Sequence, residues 1–224
     1  MAAKIANPAM LEQEIRSDID ERQKLMLQIK TLYLRYGFNE KDEQLFLNYS
    51  IPTIYAIWEG FIQTVFQTYI QELNKLNLSI NTICKPILVY HIESKFKQFK
   101  EYPEKFTGKV AFFEKLDQFY HAEFIDITQA VNTESNVGFN VLNKILETFN
   151  LEKISEYPES HYSLRQELDN FLLKIRNAVA HGQNSIVVNR EDLDRAIKLV
   201  STLMDLVLDN VIKGFESKSY LHIS

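Results

Sequence analysis

Arg176 and His181 stand five residues apart in the run Lys174-Ile175-Arg176-Asn177-Ala178-Val179-Ala180-His181-Gly182. On a helix, Asn177 and His181 fall within roughly 40° of one another, and the long Arg176 side chain flanks them. A guanidinium is a permanent positive fork suited to phosphate oxygens. An imidazole holds or releases a proton near neutral pH. Together they suit phosphodiester chemistry that needs no metal. The spacing alone is a weak signal, because an Arg and a His at a helix C-terminus can instead offset the dipole and bond the last carbonyls. The setting strengthens the chemical reading: the pair closes a strongly amphipathic segment, with Asn directly after Arg and Gly directly after His.

Other chemistries find no support. His91, His121, His161 and His222 lack metal-ligand spacing, and Cys84 stands alone, so neither a zinc site nor an internal disulfide is expected. Cys84 reads as an inert small side chain. No Gly-rich phosphate loop or nucleophile elbow occurs, which removes P-loop NTPases and α/β-hydrolases. No metal and no cofactor are expected. His161 precedes the motif helix and is a minor candidate for approaching the same cleft.

The elements that must position the pair read as helices. Leu11, Ile15, Ile19, Met26, Ile29, Tyr33 and Tyr36 draw one stripe, stopped by Gly37. A second stretch begins near Asn39, with an interruption expected at Ser50-Ile51-Pro52 and a renewed helix from Pro52 to about Leu76. That helix is apolar over much of its circumference, as a central helix should be, and Glu59 stands out in it. Lys85–Lys100 and Lys109–Tyr120 read as two amphipathic helices, forming a side lobe over 80–125. Ser135 is the expected cap of a helix carrying Val137, Val141, Ile145, Leu146 and Phe149. Leu164, Leu168, Phe171, Leu172, Ile175 and Val179 stripe the motif helix. A β-prone Ile186-Val187-Val188 then leads to a last helix, opened by Asn189 and running from Arg190 to about Phe215. With few glycines and prolines and no repeat or linker, the chain reads as one all-α domain over 1–224.

The formal net charge of -5 is the opposite of the basic balance of proteins whose affinity rests on phosphate contacts, so any RNA site must be local. The densest cationic stretch is Lys95–Lys109, where five lysines are interleaved with Phe96, Phe99, Tyr102 and Phe106. Such runs are usually solvated helix faces, and that reading is preferred to a nucleic-acid groove. Nothing in the chain reads as a signal peptide or a membrane span, which points to a soluble cytoplasmic protein without a membrane partner.

RNAVAHG, residues 176–182, closely resembles the Arg-x4-6-His signature of HEPN proteins, in which a polar residue often follows the Arg. TIYAIWEGFIQ at 53–63 and TESNVGFNVLNKIL at 133–146 look like segments of the MAE-type HEPN subfamily. The resemblance covers about residues 10–215, although RNAVAHG alone bears on activity. It implies a HEPN-like helical bundle with a helical insertion, and a homodimer that gathers two motifs into one cleft. It also implies frequent association with toxin–antitoxin or antiviral defence systems, hence a cognate antitoxin or defence partner. On this resemblance His181 would move the proton of the 2′-hydroxyl or leaving oxygen, and Arg176 would stabilise the phosphorane-like transition state. Asn177 would orient one of them or touch a phosphate. Glu59 and Tyr55 would align Arg176 or His181, with a structural buried salt bridge as the competing role for Glu59. The function so implied is a metal-independent endoribonuclease with RNA as substrate. The alternatives are a non-catalytic HEPN module binding RNA, a nucleotide or a partner protein, and a plain helical scaffold.

Overall fold

Asn7 accepts the Met10 N–H through its side chain and Pro8 follows it, so the first helix starts where a missing proline N–H costs nothing. This computed structural model describes residues 7–134, 136–158, 162–182 and 186–222. Ser135 and His161, named above as a cap and a minor candidate, lie outside the described residues. Among the described residues the helices are α1 (Pro8–Tyr36), α2 (Glu40–Lys75), α3 (Lys85–Lys95), α4 (Phe106–Tyr120), α5 (Phe139–Thr148), α6 (Lys174–Ala180) and α7 (Arg190–Glu216). They include no strand, only an isolated antiparallel bridge between Ile83 and Leu221. The architecture is an all-α bundle.

Helices α1, α2 and α7 pack pairwise, and α6 lies on α2. The α1 stripe buries Leu11, Ile15, Ile19 and Met26, while Tyr36 at its end is exposed. Gly37 closes the helix at φ 58, a left-handed position where glycine carries no Cβ penalty. Asn189 and Asp192 form a reciprocal capping box that starts α7, which buries Leu193, Val200, Met204, Val207 and Val211.

The interruption expected at Ser50-Ile51-Pro52 is absent: α2 runs unbroken from Glu40 to Lys75 with Pro52 inside it. Proline removes one ladder bond there, but neighbouring side chains bind nearby carbonyls. Ser50 Oγ donates to Phe46 O at 2.8 Å and Thr53 Oγ1 to Tyr49 O at 3.0 Å. Ile51 and Ile54 are fully buried on either side of the proline, so tertiary packing holds the helix together. Beyond it, Trp58, Phe61, Ile62, Phe66, Tyr69 and Ile70 are all buried, each contributing about 1.5–3 kcal/mol. The helix is therefore the central one.

Ile186–Val188 forms no strand. Val188 is instead held by side chains of α2, its N–H donating to Asn48 Oδ1 at 3.1 Å and its carbonyl accepting from Gln44 Nε2 at 2.9 Å. In the 80–125 segment, α3 stops at Lys95 and a short 3-10 turn, Lys97–Phe99, follows. Helix α4 starts at Phe106, earlier than the Lys109 expected.

Candidate active site

The motif helix is continuous from Leu164 to Ala180, but Gln166–Leu173 is wound as a π-helix before α6 resumes α geometry. Its buried face carries Leu168, Phe171, Leu172 and Leu173. The helix ends at His181, whose N–H donates to Asn177 O at 3.0 Å. Gly182 follows at φ 71 with open space where a Cβ would lie, so its role is conformational rather than steric.

Arg176 is gripped by neutral groups. Nη1 donates to Asn177 Oδ1 at 2.8 Å and to Asn136 Oδ1 at 3.1 Å, and the guanidinium carbon lies 5.0 Å from the Tyr55 ring centroid. Arg16, Arg22, Arg165, Arg190 and Arg195 each pair with a carboxylate. Arg176 meets no carboxylate among the described residues, so its charge is oriented without being neutralised.

The loop that supplies Asn136 is fixed by the central helix. Tyr55 OH accepts the Val137 N–H at 2.7 Å, and Trp58 Nε1 donates to the Val137 carbonyl at 3.0 Å. Burial pushes the Tyr55 hydroxyl up to about 12, against the opposing pull of the Val137 hydrogen bond, so it remains a neutral phenol. Next along the loop, Gly138 packs so closely on the π-helix that an added Cβ would lie 2.6 Å from Asp169 Oδ1. That same oxygen accepts the N–H of Phe139 at 2.8 Å, satisfying the start of α5 from a neighbouring element. The expected cap, Ser135, stands well before this start, at Gly138-Phe139.

Of the five residues singled out from sequence, the structure joins Tyr55, Arg176 and Asn177 in direct contact. Glu59, one turn beyond Tyr55, is half-buried and accepts from Thr133 Oγ1 at 3.1 Å. It bonds neither Arg176 nor His181, and it forms no salt bridge among the described residues. His181 stands exposed at the helix end. Among the described residues, neither His181 nor Arg176 bonds a helical carbonyl through its side chain.

Asn136 and Thr133 were not singled out. The signal available was their place in the polar run TESNV just before an apolar helix, within one of the segments that carries the resemblance. Among the remaining titratable groups, His91 is buried, and Cys84 is buried with its thiol raised by burial. His121 sits exposed beside Asp117. Among the described residues no three His, Cys, Asp or Glu side chains gather as a metal-ligand set, and no helix is long and apolar enough to cross a membrane.

In comparison with known families, the model described as HEPN_MAE_28990-like HEPN aligns with residues 11–220. No curated protein and no solved structure matches the chain.

Proposed function

The chain belongs to the HEPN_MAE_28990-like HEPN family, and from that premise we propose that it is a metal-independent endoribonuclease acting through Arg176 and His181. The observation that carries this reading is the oriented but unneutralised Arg176, held by Asn136, Asn177 and the Tyr55 ring. A guanidinium so placed keeps its charge for a phosphate and loses little freedom when one arrives. In the proposed reaction the RNA 2′-oxygen attacks the adjacent phosphorus and the 5′-oxygen departs, leaving a 2′,3′-cyclic phosphate and a 5′-hydroxyl. His181 moves the proton at the 2′-hydroxyl or the leaving oxygen, and Arg176 stabilises the charge on the pentavalent phosphate. Asn177 and Asn136 position Arg176. Glu59 acts through the loop, by holding Thr133.

The active unit in this reading is a homodimer. Arg176 and His181 point about 140° apart around a helix, so one copy does not readily grip a phosphate while serving both proton-transfer positions; a second motif across a two-fold axis supplies the missing groups. The biological role we favour is that of a cytoplasmic toxin or antiviral-defence effector restrained by an antitoxin or defence-system partner.

Purified protein incubated with total RNA tests the reaction. Cleavage should persist in EDTA, spare DNA and leave 2′,3′-cyclic ends. Folded Arg176→Ala and His181→Ala should lose about a hundred- to thousandfold in rate, as for removal of one preorganised catalytic group. Full activity in either folded variant overturns the mechanism. RNA binding without cleavage instead supports the non-catalytic HEPN module, to which the net charge of -5 lends some weight.

A further inference from the structure

The 80–125 segment leaves several of its aromatic rings in solvent. Phe106 is 79% exposed, Phe113 59%, and Phe99 and Tyr102 53% each. These rings are not scattered. Phe112, itself buried, lies with its ring centre 5.3 Å from that of Phe99, 6.2 Å from Tyr102 and 5.8 Å from Phe113. Phe106 projects from the first turn of α4, and Gly108 lets Pro103 approach within 3.1 Å of where a Cβ would sit, which holds Tyr102 against the helix. A patch of exposed aromatic surface on this scale calls for an occupant.

Charge identifies its kind. Lys95, Lys97, Lys100, Lys105, Lys109 and Lys115 lie in the same stretch of chain as the rings, against Glu101, Glu104, Glu114 and Asp117. None of the six lysines forms an ion pair among the described residues, although five other lysines of the chain do. Lys109 lies over the Tyr102 ring at 5.3 Å. A surface of this sign does not suit a second copy, whose identical face would repel it. It fits a polyanion with exposed flat rings.

A cavity joins Lys100 to the loop that supplies Asn136. Lys100 shares a cavity of about 640 Å³ with Tyr90, Asn132, Glu134 and Lys144. Lys144 neutralises Glu134 there, and Asn136, two residues further along the same loop, accepts from Arg176. We propose that the Phe99–Phe113 face is a docking surface for single-stranded RNA, with bases stacking on Phe99, Tyr102, Phe106 and Phe113 and phosphates meeting the lysines. It rests on the ribonuclease reading for the choice of RNA, and adds a second contact that holds the strand leading to or from the cleaved bond.

Binding of a fluorescent 20-nucleotide unstructured RNA to the full-length His181→Ala protein tests this, because docking is then read separately from cleavage. Phe106→Ala with Phe113→Ala should weaken binding by about tenfold or more, since each ring removes one stacking partner. Lys100→Gln, Lys105→Gln and Lys109→Gln together should lower the slope of log affinity against log salt by about 2. Unchanged affinity in the first variant and unchanged slope in the second overturn the proposal. So does loss of binding to phosphatidylserine vesicles with RNA affinity intact, which would make the face a membrane contact, or dissociation of an oligomer, which would make it a subunit interface. If these substitutions reduce RNA binding while the wild-type protein cuts no RNA, docking stands and the catalytic reading falls. If cleavage proceeds and binding ignores them, the reverse holds.

Discussion

Tyr55 accepts the backbone N–H of Val137 at 2.7 Å, and this bond helps to tie the loop carrying Asn136 to the helix whose ring lies beneath Arg176. Tyr55→Phe keeps that ring but leaves the Val137 N–H buried without an acceptor, a loss of about 1–3 kcal/mol in stability. Urea unfolding should register this, and RNA cleavage should fall because Asn136 is no longer held in register. Unaltered stability would mean that Trp58, which holds the Val137 carbonyl, fixes the loop alone.

Asn136 offers a sharper test of why Arg176 has a neutral partner. Asn136→Ala removes one acceptor and should lower the cleavage rate several-fold. Asn136→Asp places a carboxylate within reach of the guanidinium and should lower it further, because the charge meant for phosphate is then paired. The expected order of rates is wild type, Ala, Asp. An Asp variant as active as wild type would show that the charge of Arg176 is not what the reaction uses.

Gly138→Ala should destabilise the chain by about 1–3 kcal/mol. Its Cβ would sit 2.6 Å from Asp169 Oδ1 and 3.0 Å from Leu173 Cδ1, and moving Asp169 aside breaks its bond to the Phe139 N–H. A second change, Asp169→Ala, should relieve the clash yet still lose that bond, so the double variant should cost less than the sum of the singles. Thermal unfolding of the four proteins checks this.

His91 gives the stability a pH dependence. Burial, with Lys95 adding to it and Asp126 opposing, holds its imidazole down at about 4, below the ordinary 6.5. Its Nδ1 accepts the Thr128 N–H at 3.2 Å and its ring lies against Phe119. Between those two values the unfolded chain binds the proton and the folded chain does not, so stability is present above pH 6.5 and declines as pH falls toward 4. His91→Gln should flatten that part of the profile. Parallel profiles for wild type and variant, from urea midpoints at pH 7.5, 5.5 and 4.5, would contradict it.

The apolar stripes of α1 and α7 were legible because each repeats with the helical period and each meets a clear stop or cap at Gly37 or Asn189. RNAVAHG was legible because it lies within a single helix and its end, where spacing converts directly into geometry. Pro52 misled: a local rule predicts a break, but Ile51 and Ile54 pack on both sides of it and the helix continues. Asn136 could not be read as a partner of Arg176, since forty residues separate them and only the packing of the Gly138-Phe139 turn on the π-helix brings them together. Nor does composition say which rings a fold leaves uncovered, so Phe106 and Phe112 look alike in sequence and end at opposite extremes of exposure.

The π-helix at Gln166–Leu173 makes the number of residues in this stretch part of the design. A π-turn accommodates about one residue more than an α-turn, and the apolar stripe upstream is anchored in the core by Leu164 and Leu168. Deleting one residue within 166–173 would let the segment rewind as ordinary α-helix and still bring Arg176 to the Tyr55 ring, because the tighter winding offsets the missing residue. Inserting one residue, or deleting two, goes beyond that slack and turns everything downstream by roughly 100°. Arg176 would then swing off the Tyr55 ring and away from Asn136, and His181 would turn with it. The stretch should therefore tolerate the loss of a single residue far better than the gain of one, and chains that share this cleft should carry between Leu164 and His181 either the present count or one fewer.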